Sequence, residues 1–224
     1  MGRFGSNDPA RTLNRHRLLY WLCVGEPVPP EGVDLHAQAE QVELPPYDTW
    51  LPLRPLVPRS SEAAWVRQAL QQVSVGQLLP ELKDELQGYA VLSGVYQVND
   101  FLDEAHRCAQ KADNRDGAYW HAIMHRREPD YSNSRYWYRR VGDHPLFGPL
   151  GEAADRLLRS RSVRLPTAVL DARGRWDPFG FVSLCARLER EEAIRPDSEL
   201  VAVARELQAL EMKLLLAWTV EQAV

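Results

Sequence analysis

Cysteine is scarce in this 224-residue chain: Cys23, Cys108 and Cys185 stand far apart, with no CxxC pair. An odd, scattered set argues against a disulfide framework and fits free thiols in a reducing compartment. Long apolar runs are missing too. No stretch approaches the ~20 residues of a membrane-spanning helix. The run from Leu18 to Val24 is short for a signal-peptide core and lacks a small-residue cleavage site. A soluble, cytoplasmic protein without a membrane partner is the expectation. Positive charge is not in excess either. A net charge of −4 argues against general nucleic-acid binding, which needs a broad basic face. There is no phosphate-cradling glycine loop, GxSxG elbow or EF-hand loop, so the enzyme classes built on those motifs find no support.

Proline, by contrast, is plentiful and clustered. Pro27, Pro29, Pro30, Pro45, Pro46, Pro52, Pro55 and Pro58 fall between Glu26 and Arg59, which forbids a continuous helix or central strand there. Tyr47, Trp50, Leu51, Leu53, Leu56 and Val57 make the segment too apolar for a solvated linker. An extended strap laid over a helical body is expected. Residues 1–15 read as a loose polar arm, and 16–24 as one or two helical turns with Leu18, Leu19 and Leu22 inward.

Beyond residue 60 the apolar residues keep a helical period. Ser61 is placed to cap a helix carrying Ala64, Trp65, Ala69 and Leu70. One long helix is expected from Glu81 to Ala112, where Gly88 and Gly94 allow a bend or a close neighbour. Further helices follow over 119–128, from a Ser132 cap to Gly142, and over 152–160. Asp177-Pro178 opens one over 179–192, and Ser198 opens the last. Residues 163–176 alone read as extended, with a tight turn at 171–174. The fold class is therefore all-α: a single-domain multi-helix bundle with a Pro-rich N-terminal strap. Its arm and strap are 1–59 and its helical domain 60–224. The wide apolar stripe of the last helix fits either a core position or a homodimer interface.

Chemistry concentrates between Gly117 and Phe147. His121 and His125 are four apart, on one helix face, and Glu128 is nearly in line with them. Two imidazoles and a carboxylate suit zinc, iron or manganese. Asp103 and His106, one turn apart on the preceding helix, are in reach if the two helices pack side by side. The expected metal set is His121, His125, Glu128 and Asp103, and the expected acid/base set is His106, His121, His125 and Glu128. The doublets Arg126-Arg127 and Arg139-Arg140, with Tyr136 and Trp137, suit an anionic small molecule, because arginine forks clasp carboxylate or phosphate. His144, just past a helix end, suits a capping role.

A competing reading gives these groups no catalysis. Arginine–carboxylate pairs and buried histidines then form a closed structural network in a binding or scaffold protein. A cleft reaching His121 and His125 favours the first reading, and full burial with full partnering the second.

Three segments, NDFLDEAHRCAQ (99–110), YWHAIMHRREPDYSNSRYWYRRVGDHPLF (119–147) and WDPFGFVSLCARL (176–188), together resemble a family of small uncharacterised helical proteins of bacteria and fungi. The resemblance fades over the N-terminal third. It brings no established activity, but it implies that DFLDEAH, HAIMHRRE and YWYRRVG belong to one unit.

Overall fold

The computed structural model describes residues 15–47, 49–58, 64–161 and 163–224. The polar arm, Arg15 apart, and the Ser61 cap lie outside them. The described residues form eleven helices and no strand, an all-α single domain. The helices are α1 (Arg17–Val24), α2 (Leu35–Ala39), α3 (Ala64–Gln72), α4 (Val75–Leu78), α5 (Glu85–Val98) and α6 (Leu102–Lys111). They continue with α7 (Arg115–Arg127), α8 (Tyr131–Val141), α9 (Phe147–Ser160), α10 (Pro178–Ile194) and α11 (Glu199–Ala223).

Helix α7 is the centre. Every residue from Asp116 to Arg127 is buried, and α5, α6 and α8 pack against it. Its Trp120 lies where a Cβ on Gly94 of α5 would be, 2.6 Å from the indole, so Gly94 is what admits a tryptophan between the helices. The same indole donates to Thr219 Oγ1 of α11 at 3.1 Å. Start signals in the sequence are used as such at two helices: Asp177 Oδ1 accepts from the Phe179 amide, and Ser198 Oγ from the Val201 amide. Helix α8 is capped by Asp130, not Ser132. The Asp130 carboxylate accepts from the Asn133 amide, and the Ser132 hydroxyl merely donates to the same carboxylate.

The long helix expected over 81–112 is two helices. The chain breaks between Val98 and Leu102, with Asp100 at φ 64°, a left-handed conformation that a non-glycine residue adopts only when its surroundings hold it. Here the holder is Arg127. Its buried guanidinium donates to the Gln97 carbonyl at 2.5 Å and to the Asp100 carboxylate. The break lets α6 fold back along α5 and brings His106 towards α7. Elsewhere α9 begins five residues before the expected start at Glu152. Residues 163–176 form an irregular segment with one isolated antiparallel bridge, Leu170–Trp176, around a turn held by the Asp171 carboxylate.

The proline-rich segment lies on the body as a strap. Tyr47, Trp50 and Leu56 are buried in it, whereas Leu53 is exposed. Having few internal bonds, its backbone is held by side chains from the helices. The Leu56 and Val57 amides donate to the Glu192 carboxylate at 2.8 and 3.1 Å. Gln208 donates to the Pro55 carbonyl, and Tyr47 of the strap donates to the Lys213 carbonyl at 2.8 Å. The stripe of α11 is used inside the chain: Val203, Leu207, Leu215 and Val220 are all core. No helix among the described residues is long and apolar enough to cross a membrane.

Candidate functional site

Helices α6 and α7 are joined by a tight turn that Asn114 caps, its Oδ1 accepting from the Gly117 amide at 2.7 Å. Such a short connection places the two helices side by side. His106 of α6 then faces His121 and His125 of α7. The last two rings are near-parallel, 17° apart with centroids at 4.9 Å, as an i, i+4 pair on one helix face must be. The His106 ring stands edge-on to both, at 4.7 and 5.1 Å. One ligand atom from each of the three can be chosen so that all lie within 4.8 Å of one another. Trp137 of α8 closes the other face of His121, stacked at 3.8 Å and 18°.

The three imidazoles differ in how they are satisfied. His121 is 2% exposed, and neither of its ring nitrogens has a hydrogen-bond partner among the described residues. His125 has Glu128 Oε2 3.2 Å from its Nδ1, and the Asn133 amide nitrogen lies over its ring, 3.0 Å from Nε2 and 3.5 Å from Nδ1. Half-exposed His106 has Nε2 at 3.2 Å from the Gln110 amide nitrogen.

Burial lowers all three basicities, since a charged ring would lose its hydration. His121 is brought down to about 3 by burial first, then by His125, His106 and Arg140. His125 is brought down to about 4 by burial and His106, against a pull upward from Asp130. His106 is lowered by burial, with Asp103 opposing. All three are therefore neutral at physiological pH and present lone pairs, the form in which imidazole binds a metal.

The structure brings together His106, His121 and His125, and it gives the expected carboxylates other places. Glu128 touches His125 from behind and does not join the three-nitrogen set. Asp103 is exposed and lines a cleft of about 600 Å³ with Val57, Arg67, Asp100, Glu104 and Glu128. Burial, Asp103 and Asp130 raise the Glu128 carboxyl above its ordinary value.

The arginines separate into two kinds. Arg126 and Arg127, expected at a ligand, are enclosed in the core, with side chains at 0% exposure. Arg127 holds the α5–α6 break. Arg126 donates to Glu211 of α11 at 2.6 Å and lies 4.5 Å from the Phe181 ring. Their burial is physically tolerable because each faces a carboxylate. Arg139 and Arg140 are exposed. The Arg140 guanidinium lies 5.2 Å from the Trp137 ring centre and 3.9 Å from an oxygen of solvent-facing Asp113. Tyr136 is 49% exposed and meets Trp137 edge-on.

His144 is less a cap than a tie. Its Nε2 is 2.8 Å from Asp116 Oδ1, and its Nδ1 accepts from the Leu146 amide.

Sequence reasoning missed Glu211, Asn133, Gln110 and Arg67. A signal existed for Glu211 alone. It stands four residues from both Leu207 and Leu215 in the apolar row of α11, where a carboxylate is buried and must be paired. Asn133 of α8 and Gln110 of α6 are ordinary polar residues on helix surfaces and carry no such mark.

No family model, no curated protein and no solved structure matches the chain.

Proposed function

We propose that His106, His121 and His125 bind one divalent transition-metal ion, and that the protein is a metal-dependent enzyme acting on a small anionic molecule. One observation carries the reading: His121 is buried, uncharged and without a partner at either nitrogen among the described residues, beside two further neutral imidazoles. An unpaired buried polar group costs about 1–3 kcal/mol, and a metal ion is a partner that offsets the cost. Zinc bound by imidazoles takes Zn–N distances of about 2.0–2.1 Å. Nitrogens now within 4.8 Å would have to close to that geometry, which requires the near-parallel rings of His121 and His125 to turn about their side-chain bonds. An all-imidazole set suits zinc or iron better than manganese, which favours oxygen ligands. Three protein ligands leave a position for water, whose acidity the ion would raise enough for hydrolysis near neutral pH. Arg139 and Arg140, beside the Trp137 cover, supply the positive charge for an anionic substrate.

The test is titration of metal-free protein with zinc and with cobalt(II), followed by calorimetry, visible absorption and tryptophan fluorescence. One ion per chain is expected. Each of His106→Ala, His121→Ala and His125→Ala would abolish it in a folded protein. No binding by the wild type overturns the reading.

A non-catalytic scaffold is the second reading, favoured by the contacts that Glu128 and Asn133 already make with His125. There the same variants change thermal stability alone.

A further inference from the structure

Resting on the metal reading, we infer that Arg127 and Asp100 are positioning residues for the ion: their pair sets α6, which carries His106, against α7, which carries His121 and His125. Two of the ligands need no such device, because i, i+4 spacing on one helix aligns them. The third comes from another helix, and a binding constellation works only when held to within about 0.5 Å. Helix α6 has little of its own to fix it there. Its N-cap is Phe101, which offers no side-chain bond to the first turn. That turn is held from outside by two arginines. Arg127, two residues past His125 on α7, donates to the Asp100 carboxylate and to the Gln97 carbonyl, and so holds the left-handed turn from which α6 sets out. Arg67 of α3 pairs with Glu104 at 3.2 Å and lies 4.3 Å from the Phe101 ring centre. Farther along, the Ser93 hydroxyl donates to the Ala105 carbonyl at 3.0 Å, which ties α6 to α5 and not to α7. The buried Arg127–Asp100 pair is the tie that joins the start of α6 to the helix bearing the other two ligands.

The pair can be removed without stranding a charge. In an Asp100→Gly, Arg127→Met double variant both ions are gone, and exchanging a buried pair for apolar groups is commonly tolerated. Glycine adopts the left-handed turn freely. The Gln97 carbonyl keeps the backbone amide at position 100 as a donor, and the strap keeps its Glu192 and Gln208 anchors. The variant should fold and bind zinc or cobalt(II) about 10–100-fold more weakly, the size seen when a group that orients a ligand is lost. Asp100→Gly alone carries the same expected loss and serves if the double variant does not fold. Asp100→Asn is the conservative rescue. Asparagine also enters the left-handed region, and its carbonyl oxygen accepts from Arg127. Its affinity should stay within about threefold of wild type, well short of that loss. Leu207→Ala, a core deletion in α11, lowers stability away from α6 and should leave affinity unchanged.

A measurement without metal stands beside these. In the metal-free wild type, nuclear Overhauser effects should link the His106 ring to those of His121 and His125, whose centres lie 4.7 and 5.1 Å away. They should persist in Asp100→Asn and Leu207→Ala and fade in the variants that lack the pair. Undiminished effects in those variants overturn the inference, whether or not metal binds. Wild-type affinity in them, or an equal loss in Leu207→Ala, overturns it too. If the wild type takes up no ion, the metal reading fails, and the Overhauser effects still decide whether the pair holds α6 to α7.

Discussion

Two buried polar constellations lie on the two sides of α7, and they are built on opposite plans. On one side the Glu211 carboxylate is entirely enclosed and takes four donors: Tyr119 and Tyr138 hydroxyls at 3.0 and 3.1 Å, Trp176 Nε1 at 3.1 Å and Arg126 at 2.6 Å. On the other side His121 has none among the described residues. Both sites remove polar atoms from water and incur a cost for it. At the first, the Glu211 carboxylate recovers its cost within the chain by tying α7, α8, α11 and the segment before α10 together, although Nε and Nη2 of Arg126 find no partner among the described residues. The second leaves it outstanding. The saturated carboxylate ties helices together, whereas the unsaturated imidazole packs between its neighbours with no hydrogen bond among the described residues.

The largest effect should come from breaking the saturated site. Glu211→Ala strands Arg126 in the core and leaves two hydroxyls and an indole without an acceptor. Losing one partner of a buried ion pair costs about 3–5 kcal/mol. Urea unfolding should show a loss of that size, and a loss below 1 kcal/mol would mean the two sites are not different in kind.

Acid should act on the unsaturated site. In the unfolded chain the imidazoles titrate near 6.5, whereas in the folded protein His121 and His125 stay neutral down to about 3 and 4. Below pH 6.5 the unfolded chain therefore binds protons that the folded one refuses, and stability falls as pH falls. Each ring removes up to about 1.4 kcal/mol per pH unit. The contribution is intact above pH 6.5 and is being lost throughout the interval down to about pH 4. Melting of metal-free protein between pH 7.5 and 4.5 measures this, and a His121→Phe, His125→Phe double variant should flatten the slope.

A gain is expected next. His121→Phe replaces an unpartnered polar ring with an apolar one of similar shape against Trp137, and such exchanges are neutral or stabilising. Metal-free protein should gain about 1 kcal/mol and lose its ion binding. Destabilisation by more than that amount would place His121 in a closed network after all. At the small end, Arg159→Ala removes an exposed pair with Asp155 and should change stability by less than about 0.5 kcal/mol.

The helical class, the strap and the starts of α10 and α11 were legible because each has a local cause: period, capping residue, proline. The break at Asp100 was not, since the apolar period runs through it in phase and its cause is Arg127, 27 residues away. For the same reason the arginine doublet misled. Arg126 and Arg127 look in sequence like Arg139 and Arg140, and only their distant partners, Glu211 and Asp100, show that the first pair is consumed internally. The histidine cluster was legible in part. The four-residue spacing of His121 and His125 shows on one helix. His106 joins them only because α6 folds back, and Glu128 stands behind the cluster because the chain turns at Pro129.

The strap has a consequence for how the protein is made. Its anchors lie far ahead in the chain: 136 residues separate Leu56 from Glu192, and 166 separate Tyr47 from Lys213. A ribosome adding about 5–20 residues per second exposes the strap on the order of ten seconds before α10 and α11 exist to receive it. Throughout that interval Tyr47, Trp50 and Leu56 emerge as bare apolar side chains on a segment whose prolines keep it from hiding them in a helix of its own. Helices made late thus complete the burial of a segment made more than a hundred residues earlier.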